Sequence, residues 1–93
     1  MQRESEFQTF LMQEKTINSK KAVDSRMSKA RKAEIILGWQ LDAIVSDDDL
    51  MYDSLVALKP HEDPAHTPMQ NAVRKYYKFV NGKDFPQLRY YKR

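Results

Sequence analysis

Thr67-Pro68-Met69-Gln70-Asn71-Ala72-Val73-Arg74-Lys75-Tyr76-Tyr77-Lys78-Phe79-Val80-Asn81-Gly82 decides the fold class. Threonine is a favoured N-cap, proline suits the first helical position, and glutamine three residues after the threonine completes a capping box. Asn81-Gly82 is a helix stop, because glycine adopts the left-handed conformation of a C-terminal cap. Between these ends Met69, Ala72, Val73, Tyr76 and Val80 recur at three- and four-residue spacing, the mark of one buried helical face. Tyr77 and Phe79 widen its aromatic side. Arg74, Lys75 and Lys78 are expected to stand largely free of that face.

Upstream, the same spacing predicts three more helices. Phe7, Phe10 and Leu11 stripe a first helix over about 5–14, and 16–19 reads as a connection. Ala22, Val23, Met27, Ala30, Ala33 and Leu37 stripe a second, from Ser19 or Lys20 to Leu37, stopped by Gly38. Trp39 to Ile44 is either a short helix or a crossing segment. Ser46 or Asp47 caps a third main helix. Asp48 and Asp49 lie in its first turn, where the helix dipole favours carboxylates. Leu50, Met51, Leu55 and Leu58 form its core side, and Lys59-Pro60 ends it. No stretch alternates like a strand bounded by hairpin turns. The expected architecture is all-α: a compact four-helix bundle, orthogonal or up-and-down, over residues 1–82. A basic, aromatic tail over 83–93 either packs back or stays mobile.

With 93 residues the chain makes one domain with one modest core. It has no cysteine, which removes disulfides, thiolate metal sites and thiol nucleophiles. It has no apolar run of membrane-spanning length and no basic-then-apolar start, so cytoplasmic residence is expected. The net charge of +3 hides a pattern. Residues 15–33 hold seven Lys or Arg against one Asp, 42–63 hold seven Asp or Glu against one Lys, and 74–93 hold seven basic residues against Asp84. Two basic segments flank an acidic one. If the basic segments fold side by side they make a patch for phosphates.

No enzyme chemistry is legible. Asp47, Asp48, Asp49 and Asp53 lack the glycine and terminal glutamate of a calcium loop, and helix capping explains them without a metal. His61 and His66, with Glu62 and Asp63, read as solvated loop residues rather than zinc ligands. There is no Walker loop, dinucleotide glycine motif or framed serine. The expectation is no catalysis, no metal, no cofactor, no small-molecule substrate and no membrane partner. DNA is the first expected partner, met at Lys20, Lys21, Arg26, Lys29, Arg31, Lys32, Arg74, Lys75 and Lys78, mainly through phosphates. The alternative is a protein-interaction or homodimerisation module in which acidic and basic segments of two chains meet, with Trp39, Tyr52 and Tyr90 as contact residues. Tyr77, Tyr90 and Tyr91 stay open between base stacking, a partner surface and simple packing.

Phe7-Gln8-Thr9-Phe10-Leu11 in an opening helix, a basic second helix, and Asn71-Ala72-Val73-Arg74-Lys75-Tyr76-Tyr77-Lys78-Phe79 in a closing one together resemble the N-terminal, SAM-like core-binding domain of phage-type tyrosine recombinases. The resemblance spans roughly residues 5–82. It implies a SAM-like bundle that clamps DNA beside a separate catalytic domain, in phage or mobile-element DNA transactions. The family's Ser-x-x-Thr-x-x-x-Tyr helix start is replaced here by Lys21-Ala22-Val23-Asp24-Ser25-Arg26-Met27. None of its catalytic residues has a matching position, so Tyr90 and Tyr91 receive no nucleophilic role.

Overall fold

The computed structural model describes residues 1–14 and 19–92. The expected connection over 16–18, with Lys15 and Arg93, lies outside the described residues.

Among the described residues five helices form: α1 (Glu4–Gln13), α2 (Lys20–Leu37), α3 (Leu41–Val45), α4 (Asp48–Leu58) and α5 (Pro68–Asn81), with single 3₁₀ turns at Lys59–His61 and Leu88–Tyr90. No strand forms among the described residues. The fold is an all-α bundle, with α3 as the fifth helix where the sequence left a choice. Its radius of gyration, 12.4 Å, is the value expected of a compact chain of this length. α2 and α5 share the broadest contact; α1 packs on both, and α3 joins α4 to α5.

Local chemistry explains most of the ends. The Ser19 hydroxyl accepts from the Ala22 N–H at 3.1 Å, and Gly38 closes α2 at φ 72°, where a side chain would be strained. Asp47 accepts from the N–H groups of Asp49 and Leu50 and caps α4. Gly82 closes α5 at φ 75°.

The start of α5 corrects the expectation. Thr67 occupies the N-cap position, but its side chain makes no capping bond. Instead the Glu62 carboxylate accepts from the backbone N–H groups of Met69 and Gln70 and from the Gln70 side-chain amide. A charged acceptor at a helix N-terminus satisfies orphan donors and opposes the dipole. Glu62→Ala is expected to cost about 1 kcal/mol, the scale of a lost N-cap. Thr67→Ala is expected to stay within about 0.5 kcal/mol. Urea midpoints of the two variants measure this, and the reverse order would return the cap to Thr67.

The core joins Phe7 and Leu11 of α1, Val23, Met27, Ala30 and Ala33 of α2, and Leu41, Ile44 and Val45 of α3. Met51, Leu55 and Leu58 of α4 and Met69, Ala72, Val73, Tyr76 and Tyr77 of α5 complete it. Ala30 and Ala33 of α2 are fully buried in it. Val80, expected inside, is exposed. Tyr77 is inside instead, because the tail returns over it: Phe85 is buried and meets the Tyr77 ring edge-on at 5.1 Å. Tyr91 stacks on Tyr52 and bonds to Asp49. The described tail therefore packs back on the bundle.

Candidate anion-binding face

Lys21, Ser25, Lys29 and Lys32 follow one another at four- and three-residue steps, so they share one flank of α2. At 1.5 Å per residue the row is about 16 Å long. Lys20 adds a charge at its start. Lys20, Lys21 and Lys32 are exposed and Lys29 is half-buried. None of them has a carboxylate partner among the described residues. Lys20 and Lys21 also stand in the first helical turn, with no acidic residue there. The dipole disfavours cations at that end, so helix stability does not explain them.

Ser25, Lys29 and Lys32 border an open groove between α2, the start of α5 and the loop before it. One end is a pocket of about 300 Å³ lined by Arg26, Asn71, Arg74, Lys75 and Asp84. It continues into a hollow between Ser25, Arg26, Lys29, His66 and Asn71. A further hollow lies between Lys29, Lys32, His61 and His66. Arg26 is half-buried, and its guanidinium has no acceptor among the described residues. Burial holds it below its ordinary pKa, yet arginine keeps its charge in proteins.

The other expected cations are not free. Arg31 bonds Glu4 at 2.6 Å. Arg74 donates to the carbonyls of Phe85 and Pro86 at 2.9 and 3.2 Å. Lys75 bonds Glu14 at 3.0 Å, and Lys78 lies 3.6 Å from the same oxygen. The hydrogen bond from Lys75 holds Glu14 below the usual carboxylate range, against the effect of burial. The expectation that Arg74, Lys75 and Lys78 stand free is thus corrected. Arg74 and Lys75 still line the pocket with donors to spare. Asn71 and Ser25, which the sequence did not single out, complete the groove together with His66, which it read as a solvated loop residue. Asn71 precedes Arg74 by three residues, so helical spacing held a signal for it.

The expected protein contacts divide. Trp39 and Tyr90 are 54% and 64% exposed. Tyr52 is half-buried against Tyr91, and Arg89 covers the Tyr90 ring at 4.8 Å.

The acidic segment is largely consumed internally. Asp42 accepts from Tyr76 and from the Gln2 N–H, Asp48 from Tyr77, and Asp49 from Tyr91. Asp47 and Glu62 cap helices, and Asp63 accepts from the Ala65 N–H. Burial pushes the Tyr77 phenol up to about 12, and Asp48 reinforces the shift. A raised phenol pKa means the fold holds the neutral ring. That contribution is full below the ordinary value of 10.0 and is lost as pH rises through about 12. Stability measured by urea at increasing pH is expected to fall across this window, and Tyr77→Phe to flatten the fall. An unchanged profile in Tyr77→Phe would contradict the assignment.

No family model, no curated protein and no solved structure matches the chain. No helix of the described residues is long and apolar enough to cross a membrane.

Proposed function

We propose that the chain is a non-catalytic DNA-binding module that meets duplex phosphates along α2. The observation that carries this reading is the row Lys21, Lys29 and Lys32, with Lys20 adding a charge in the first turn and Arg26 toward the groove. Among the described residues these cations have no acceptor, whereas Arg31, Arg74, Lys75 and Lys78 have one. A row about 16 Å long on a rigid helix suits successive phosphates, which fix position and carry little sequence information. The likeness to the SAM-like core-binding domain of phage-type recombinases belongs to the same proposal, with cytoplasmic residence and a role beside a catalytic partner in DNA transactions. Fluorescence anisotropy with two labelled duplexes of unrelated sequence tests it. Comparable binding of both at low salt is expected; no binding at low salt would overturn it.

A second reading, a protein-interaction module, is favoured by one observation. Ile35 is 81% exposed and Trp39 54% exposed, both at the end of α2. An apolar surface there suits a protein neighbour. Sedimentation separates its self-associating form, because a monomer at all concentrations removes it.

A further inference from the structure

We infer that the pocket between α2 and α5, lined by Arg26, Asn71, Arg74, Lys75 and Asp84, binds one phosphate monoester. As a DNA-end site this rests on the proposed DNA reading.

The pocket is rich in donors and poor in acceptors. Arg26 offers its whole guanidinium, having no acceptor among the described residues. Arg74 spends one terminal nitrogen, Nη1, on the tail carbonyls. Lys75 spends one bond on Glu14 and retains further N–H donors. Asn71 is exposed and lines the pocket, and its side-chain amide has no bond among the described residues. The complement of such a surface is a compact group of several acceptor oxygens. Arginine forks match phosphate oxygens in pairs.

Charge and shape select the monoester over the diester. Arg26, Arg74 and Lys75 stand against Asp84, a formal excess of two positive charges. A phosphate monoester carries close to two negative charges at neutral pH and three terminal oxygens; a diester carries one charge and two such oxygens. The lysine row is a convex helix flank that a continuous backbone can follow. The pocket is a concavity of about 300 Å³ that a terminal group enters more readily than a phosphate linked on both sides. Its two sources are a 5′-phosphorylated DNA end and free phosphate.

The test uses the full chain. One arm compares a short duplex carrying 5′-phosphates with the same duplex carrying 5′-hydroxyls. The phosphorylated form is expected to bind about tenfold tighter, the scale of one charge-assisted hydrogen bond. Asn71→Asp, an exposed substitution that adds a carboxylate to the pocket, is expected to bring the ratio to one while urea unfolding stays unchanged. The second arm titrates inorganic phosphate into labelled protein at constant ionic strength. Saturable shifts of the Arg26 Nε–H and Asn71 amide signals are expected, and absent in Asn71→Asp. Saturable shifts with equal duplex affinities would support the site and assign free phosphate as its source. Equal duplex affinities with no phosphate shifts would overturn the inference while leaving backbone binding in place. If neither duplex binds at low salt, the DNA reading fails and the phosphate titration alone decides the pocket.

Discussion

Tyr76→Ala is expected to lower the unfolding free energy by about 3–5 kcal/mol, the cost of truncating a well-packed aromatic core residue. Tyr76 is fully buried. Its ring meets Phe7 edge-on at 4.9 Å and Phe79 at 5.6 Å, so it ties α5 to α1. Its hydroxyl donates to Asp42 of α3, which also accepts from the Gln2 N–H. Burial pushes Asp42 up, but these bonds bring it below its ordinary value. Truncation would open a cavity where three helices meet and remove one of the donors that hold Asp42 charged. Against a total stability of roughly 5–14 kcal/mol for a chain of this size, that is a large fraction. Tyr76→Phe keeps the ring and loses only the hydrogen bond, at about 1.5–3 kcal/mol for a charged acceptor. Urea unfolding measures both, and a wild-type midpoint for Tyr76→Ala would contradict the core assignment.

The second large effect concerns DNA. Replacing Lys21, Lys29 and Lys32 together with glutamine is expected to weaken duplex binding roughly 500-fold near 0.1 M salt, about eightfold per lost phosphate contact. These side chains cap nothing and pair with no carboxylate among the described residues. Folding is therefore expected to change by no more than about 0.5 kcal/mol for each of the exposed Lys21 and Lys32. Lys78→Ala is the control. Lys78 lies on α5, not on the α2 row, and pairs with Glu14, so its removal is expected to change affinity far less. Equal losses from the triple variant and from Lys78→Ala would mean that net charge, not the α2 row, governs binding.

The sequence was most legible where one residue decides one end. Gly38, Gly82, Ser19 and Asp47 stop or cap their helices as local chemistry dictates. The stripes of α2 and α5 also read correctly for the most part, because period and burial agree there. Sequence reasoning failed where a partner comes from outside the helix itself. The Glu62 carboxylate displaces Thr67 as the cap of α5 because the loop folds it back over Met69 and Gln70. Phe85 draws Tyr77 inward, while Val80, on periodicity a core residue, stays outside. Glu14 pairs with Lys75, 61 residues away, and Arg74 finds its acceptors in the tail. Five residues of α3 are too few for periodicity to separate helix from crossing segment. For the candidate site, the basic character of α2 was readable from spacing. Which cations remain free was not, because that depends on where the glutamates of α1 and the tail carbonyls come to rest.

The most direct test of the central claim is the salt dependence of duplex binding, read as the slope of log affinity against log salt concentration. Five phosphate contacts, one each for Lys20, Lys21, Arg26, Lys29 and Lys32, correspond to a slope of roughly −4.5. That value is expected for the native chain, and a slope of roughly −2 for the triple glutamine variant. A slope near zero, or the same slope in both proteins, would contradict it.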